Sequence, residues 1–346
     1  MDSLFIDKFK SYRKSCDDFF ENGKCREFFK KYNIENAAGR YLDALVKHSV
    51  GGKRIRAFLV YLGYCIYAGF DKGENVFLPS LSYELFQTGI LAHDDIIDNS
   101  DLRRHKPSMH IDLGGGHMGL SKSICVGDFG IIFANDILLQ QGFDVQTSIN
   151  AVGHQNKVFA STVAGELMDI ELSETKNAEL CDILEMYRLK TAQYTVSGPL
   201  MLGAILAGVK QDEIELLSYF GDNVGIAFQI KDDILGIFGD TENIGKTNFS
   251  DMCEGKQTVL TAHFYRNATQ QYSENFSAVY GNAKSGEEQL QLVREMLKST
   301  GSLEFADNLC YEYTRKAKDV LDKLSISESS KDLLQGLLTY MTSRNS

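Results

Sequence analysis

The sequence predicts an all-α protein, a single large helical bundle. Three observations carry this: apolar residues recur at three- and four-residue spacing almost throughout, no run of period-two alternation interrupts them, and only three prolines occur in 346 residues. Helix breaks are expected at Gly69-Phe70-Asp71-Lys72-Gly73, Gly114-Gly115-Gly116, Ser173-Glu174-Thr175-Lys176, Gly208, residues 239–247 and residues 281–286. Those breaks leave helices of roughly 15–30 residues, longer than the average near 12, and ten or more of them. No repeat at solenoid period stands out. A hydrophobic content of 43% can bury one large core, and residues 1–346 are read as one domain.

Composition narrows the function. A net charge of -11 excludes nucleic acid as the expected partner, because a polyanion requires a basic face. Seven cysteines are scattered without a CxxC pair and in odd number, which fits reduced thiols in a cytoplasmic protein and argues against a zinc site. Met1-Asp2-Ser3 leads through Leu4, Phe5 and Ile6 into charged sequence, so no secretory signal is expected. No uncharged apolar run reaches the ~18–20 residues of a membrane span.

Taken in chain order, the first chemical element is Gly51-Gly52-Lys53-Arg54-Ile55-Arg56, leading into Ala57-Phe58-Leu59-Val60. Lys53 and Arg56 are three apart and share a helical face near its start, where amide groups and two cations make an anion site. Read alone, the segment is equally a basic helix cap. Next, positions 83, 86, 87, 90, 91, 94, 95 and 98 fall along one side of a helix that starts apolar, with Tyr83, Phe86 and Ile90, and ends in Asp94, Asp95 and Asp98. Alone, the three apolar residues would be core; with the acids attached they form a greasy groove with a charged mouth. Acids at i and i+4 project one turn apart, and Arg103 and Arg104 follow. The spacing does not fit a calcium-binding loop. Gly114-Gly115-Gly116 lacks the GxxxxGK[ST] pattern of a phosphate loop.

Further on, Tyr187-Arg188-Leu189-Lys190-Thr191-Ala192 offers a Lys-Thr pair, common by itself. It is followed by Phe228-Gln229-Ile230-Lys231-Asp232-Asp233, then Gly245-Lys246 and Ser250-Asp251-Met252-Cys253-Glu254-Gly255-Lys256. Acids and lysines thus alternate within about thirty residues, a pattern suited to divalent cations bridging phosphate oxygens. Read alone it is a solvated helix end running into a charged loop.

Together these segments, in this order, resemble the trans-isoprenyl diphosphate synthases, the polyprenyl synthetase family, and most of all a geranylgeranyl diphosphate synthase. The resemblance spans residues 51–258, about three fifths of the chain. It implies the isoprenoid-synthase form of helical bundle around a central cavity, and a usual homodimer. Asp94, Asp98 and Asp232 are then expected to ligate magnesium, three ions in all. Asp95 and Asp233 would stand behind those ligands, with Asp169 supporting a metal through water and Asp251 a further candidate. Arg103, Lys190 and Lys246 would bind the allylic diphosphate, Lys53, Arg56, Gln87 and Arg104 isopentenyl diphosphate, and Lys256 is a further substrate-binding candidate. Lys190, Thr191 and Gln229 would serve the reaction centre.

The chain departs from the family pattern at three places: Gly236 stands where a third aspartate is frequent, Ala57 where proline is usual, and Glu166 where glutamine is common. Product length is set by the helix before Asp94, because one turn of ~5.4 Å roughly matches an isoprene unit. Gly89 and Ile90 occupy the positions where an aromatic would stop growth early, so Phe86 becomes the floor with Tyr83 behind it. That argues against a strict farnesyl product and for about four units, geranylgeranyl diphosphate; a longer product stays open as the alternative, since the neighbouring helix also shapes the floor. A terpene cyclase has no use for Lys53, Arg56 and Arg104 and would be richer in Trp, which is absent. A non-catalytic partner subunit should have lost one acid cluster, and a metal-binding scaffold would bind without turnover.

Overall fold

The computed structural model describes residues 3–139, 142–175, 178–239 and 250–343. Among them the fold is all-α, apart from one antiparallel ribbon that pairs Leu102–Arg103 with Lys106–Pro107. Contacts divide the chain into two compact units. One comprises residues 2–156 with 199–210, the other residues 157–198 with 211–346.

In the first unit, helix Ser3–Glu21 buries Phe5, Phe9, Tyr12, Cys16, Phe19 and Phe20, a stripe at helical spacing. Phe5 and Phe9 meet Phe58 of helix Ile55–Ala68 at ring separations of 5.5 and 5.2 Å. Helix Ser82–Ile97 carries the first acid cluster at its carboxyl end and buries Tyr83, Leu85 and Phe86 completely or nearly so. It packs on helix Gly116–Asp136 through glycines. A Cβ at Gly89 would lie 2.5 Å from the Gly127 carbonyl oxygen, and one at Gly130 would lie 2.8 Å from that of Leu85. Backbone touches backbone here, so the acid helix is held by a contact that admits no side chain.

The second unit centres on helix Gln211–Phe238, whose Ile226, Ala227, Ile230 and Ile234 enter one core with Ile183, Tyr187 and Leu260. Phe264, Phe276 and Tyr280 stack within it at 4.1 and 4.9 Å. Residues Tyr187–Ser197 adopt a π-helix, a wider coil that sequence periodicity did not announce. Glycines again set the spacing: a Cβ at Gly225 would sit 2.4 Å from Ala192, and one at Gly165 2.4 Å from the Lys190 amide.

The expected breaks at Gly69, Gly114-Gly115-Gly116, Ser173 and Gly208 coincide with helix ends, and residues 281–286 separate two helices. Helix Gln211–Phe238 stops where the next break was expected, and the remainder of that segment lies outside the described residues. Helices run from 4 to 29 residues, so short elements accompany the long ones anticipated. No cysteine pairs with another. Among the described residues no helix is long and apolar enough to cross a membrane.

Because the space beside Gly89 is filled by the Gly127 backbone, Gly89→Ala should cost about 1–3 kcal/mol. Urea unfolding would show a lower midpoint at unchanged m; an unchanged midpoint would mean that the helices simply move apart.

Candidate active site

The first unit gathers one set of site residues at the end of helix Ser82–Ile97. Asp94 and Asp98 lie one turn apart, and the Asp98 amide donates to the Asp94 carbonyl at 2.9 Å. Arg103 binds both neighbours of the pair: its Nη2 donates to Asp94 Oδ2 and its Nε to Asp95 Oδ1, each at 2.7 Å. Asp95 is buried, which pushes its carboxyl up, while the Arg103 hydrogen bonds pull it back.

Arg103 is presented by the Leu102–Arg103/Lys106–Pro107 ribbon, the element periodicity missed because each strand has only two residues. Its two-residue turn consists of Arg104 and His105 at φ 54° and 61°. That geometry suits the right-handed twist of a hairpin but is ordinarily supplied by Asn and Gly. Two side-chain-bearing residues in this region cost free energy, and the strain falls where the chemistry is expected. Burial pulls the Arg104 guanidinium down; Glu84 offsets this, while Arg54, Arg103 and Arg56 add to it by repulsion. An anion arriving there relieves that repulsion. A cavity of about 300 Å³ opens beside the ribbon, lined by residues including Thr88, Leu91, Asp95, Arg103, Arg104 and Lys106.

Lys53 is exposed and Arg56 and Gln87 are half-buried. Between the two cations of the Gly51–Arg56 segment lies a residue that sequence reasoning passed over. Arg54 is buried, at φ 60°, and its Nη1 donates to the buried carboxylate of Glu84 at 3.0 Å. The only available signal was an acid among apolar residues, Tyr83-Glu84-Leu85, which patterning alone leaves without a partner.

The second unit gathers the other set. Lys190 Nζ lies 2.5 Å from Asp169 and 2.8 Å from Glu166, and the two acids raise it against the opposing effect of burial. Glu166, the departure from the family's glutamine, is thus a charge partner of this lysine. Thr191 Oγ1 donates to Gln229 Oε1 at 2.8 Å, and Gln229 Nε2 donates to Asp233 Oδ1 at 2.8 Å. Asp233 also accepts from the Tyr187 hydroxyl, which in turn accepts from the Val259 amide at 3.2 Å. Asp233 is therefore buried and engaged, whereas its neighbour Asp232 is exposed. Lys256 pairs with Glu254 at 3.1 Å. Lys246 and the Asp251 side chain lie outside the described residues.

Of the four positions expected to set product length, Tyr83 and Phe86 are buried and Ile90 is half-buried. Gly89 is buried, and the Gly127 carbonyl oxygen lies 2.5 Å from where its Cβ would be.

The donors suit magnesium. Asp94, Asp98 and Asp232 supply hard oxygen, and Asp94 already holds a cation in the form of Arg103. Among the described residues no three His, Cys, Asp or Glu side chains converge into a complete cage. Magnesium, which binds through one or two carboxylates and keeps its other positions for water and phosphate, needs no such cage.

A helical fold with two sets of acids and adjoining cations is that of a diphosphate-handling transferase. The polyprenyl synthetase family model matches residues 39–297, and the chain belongs to that family. It is 31% identical over 94% of its length to a geranylgeranyl diphosphate synthase of Sulfolobus acidocaldarius, covering 96% of that protein. It is 28% identical over 85% of its length to a geranylfarnesyl diphosphate synthase of Aeropyrum pernix, covering 91% of it. The crystal structure of a geranylgeranyl pyrophosphate synthase from Corynebacterium glutamicum, with isoprenyl diphosphate and magnesium, superposes with a TM-score of 0.85 at 29% identity, over 95% of this chain and 99% of that one.

Replacing Lys190 by Met leaves Glu166 and Asp169 as adjacent carboxylates with no cation between them, and should cost about 1–3 kcal/mol near pH 8. In the wild type the raised Lys190 contributes fully below the ordinary lysine value, about 10.4, and loses that contribution only as pH rises through its folded value. Between about pH 8 and pH 11 the deficit of the variant should therefore hold steady and then shrink once pH passes the ordinary lysine value, about 10.4. Urea midpoints across that range test this; a deficit independent of pH would refute the pairing.

Proposed function

We propose that the protein condenses isopentenyl diphosphate with an allylic diphosphate, in a magnesium-dependent step, to give geranylgeranyl diphosphate. The observation that carries this is the presence of two acid–cation sets, Asp94 and Asp95 with Arg103 and Asp169 and Glu166 with Lys190, in a chain of the polyprenyl synthetase family.

Asp94, Asp98 and Asp232 would hold three magnesium ions, with Asp95, Asp169 and Asp233 behind them. Bound magnesium would neutralise the diphosphate oxygens and so ease ionisation of the allylic C–O bond. Arg103, now on Asp94 and Asp95, would turn to the diphosphate, joined by Lys190, Lys246 and Lys256. Lys53, Arg56, Gln87 and Arg104 would hold isopentenyl diphosphate. The Thr191 hydroxyl donates its hydrogen bond to Gln229, so its oxygen lone pairs would remain to face the allylic cation. The double bond of isopentenyl diphosphate attacks that cation, and the released diphosphate takes the final proton. Water must stay out or the cation is quenched.

Buried Phe86, with Tyr83 behind it, supports a floor near four isoprene units. A homodimer is the proposed assembly, supported by exposed Ile124 and Ile132, eight residues apart on helix Gly116–Asp136. Cytoplasmic residence is supported by seven thiols with no disulfide among them.

Purified protein given magnesium, labelled isopentenyl diphosphate and, in turn, dimethylallyl, geranyl and farnesyl diphosphate should elongate each to geranylgeranyl diphosphate; no elongation would refute the proposal. Asp94→Ala should lower kcat by about 100-fold or more. Phe86→Ala should shift dephosphorylated products upward by one isoprene unit, and an unchanged product would place the floor elsewhere. Ile132→Asp should convert a dimer to a monomer in sedimentation velocity.

A further inference from the structure

Helix Ser3–Glu21 lies outside residues 39–297, the part of the chain that the family model matches. It nevertheless reaches the Gly51–Arg56 segment. Asp17 Oδ1 accepts from Arg54 Nε at 2.9 Å, and the Arg54 guanidinium lies 4.7 Å from the centre of the Phe20 ring. From the other side Glu84 accepts from Arg54 Nη1 at 3.0 Å and, through its second oxygen, from the Ala57 amide at 3.3 Å. Both the Arg54 and Glu84 side chains are almost wholly buried, at 1% and 2% exposure. A Cβ built on Gly52 would lie within 3.6 Å of Arg54 Nη1, Glu84 Oε2 and Arg104 Nη1, so backbone, acid and two guanidinium groups converge on one point.

Arg54 is in the left-handed region, a conformation that costs a side-chain-bearing residue free energy unless its surroundings fix it. Asp17, Phe20 and Glu84 supply that fixation. The consequence is geometric: with Arg54 turned inward and locked, Lys53 just before it and Arg56 two residues after it are set at the start of helix Ile55–Ala68, while the Glu84 charge favours Arg104 nearby.

We propose that Asp17, Phe20 and Glu84 are positioning residues, and that the amino-terminal helix acts through Arg54 to preset the cations that receive isopentenyl diphosphate. This rests on the assignment of Lys53, Arg56 and Arg104 to that substrate.

The test is to compare wild type, Asp17→Asn, Glu84→Gln and, as a surface control on the same helix, Lys10→Ala. Calorimetric binding of isopentenyl diphosphate and the KM values of both substrates would be measured. Losing one charge-assisted hydrogen bond from a buried arginine should weaken isopentenyl diphosphate binding and raise its KM about tenfold, more for Glu84→Gln than for Asp17→Asn. The KM for the allylic diphosphate and kcat should stay within about twofold, and Lys10→Ala should match wild type. Equal rises in both KM values, or unchanged isopentenyl diphosphate binding in folded variants, would overturn the inference and leave the network purely structural. Absence of elongation by wild type would instead strike the proposed function, while selective weakening of isopentenyl diphosphate binding would still uphold the positioning role.

Discussion

The structure depends on crowding carboxylates at one end of a buried helix without letting them repel one another apart. Asp94 and Asp95 are adjacent, one of them buried, and like charges at this range disfavour ionisation. Arg103 answers with a fork that meets both, a geometry lysine could not reproduce. The same solution recurs in the second unit, where Lys190 sits between Asp169 and Glu166. In each case a cation suited to phosphate oxygens is held by acids. Under the proposed function, an incoming diphosphate with its magnesium would therefore exchange partners with groups already in place, rather than gather scattered charges.

That arrangement requires unusual backbone. Arg54, Arg104 and His105 occupy the left-handed region, and Tyr187–Ser197 coils as a π-helix around Lys190 and Thr191. A π-turn shifts register by one residue relative to an α-helix, which alters the directions in which Lys190 and Thr191 project. These distortions lie beside groups assigned to substrates, and close glycine contacts at Gly89, Gly130, Gly165 and Gly225 brace the helices that carry them. Rigid helix packing is what allows local strain to persist.

Much of this was legible in the sequence. Helical periodicity, scarce proline and glycine-marked breaks gave the all-α fold and most helix ends, because those signals are local. The acids and cations stood out because charged residues next to apolar runs are conspicuous. Arg54 and Glu84 did not: each is an ordinary member of a charged or helical segment until folding brings together residues 30 apart. The π-helix and the ribbon escaped for the opposite reason, since one differs from an α-helix only in hydrogen-bond register and the other spans too few residues to show alternation. The tight packing at Gly89 was also illegible, because a glycine reports the absence of a side chain, not what fills the volume.

Gly236 leaves the second acid cluster without a carboxylate one turn after Asp232. Asp232 and Gly236 are related as Asp94 and Asp98 are, one turn apart, but only the first pair offers two carboxylates. Asp233 does not make up the difference: it is buried and accepts from both Gln229 and Tyr187. Releasing it to a metal would leave a buried hydroxyl and amide unsatisfied, at about 1–3 kcal/mol each. Among the described residues of the second cluster, Asp232 is then the carboxylate the proposed metal would use. The first cluster lies on the helix whose apolar face, through Phe86 and Tyr83, is proposed to measure the product. On the proposed assignment, metal binding and chain-length control would share one rigid element, so a change in the packing of helix Ser82–Ile97 would act on both together.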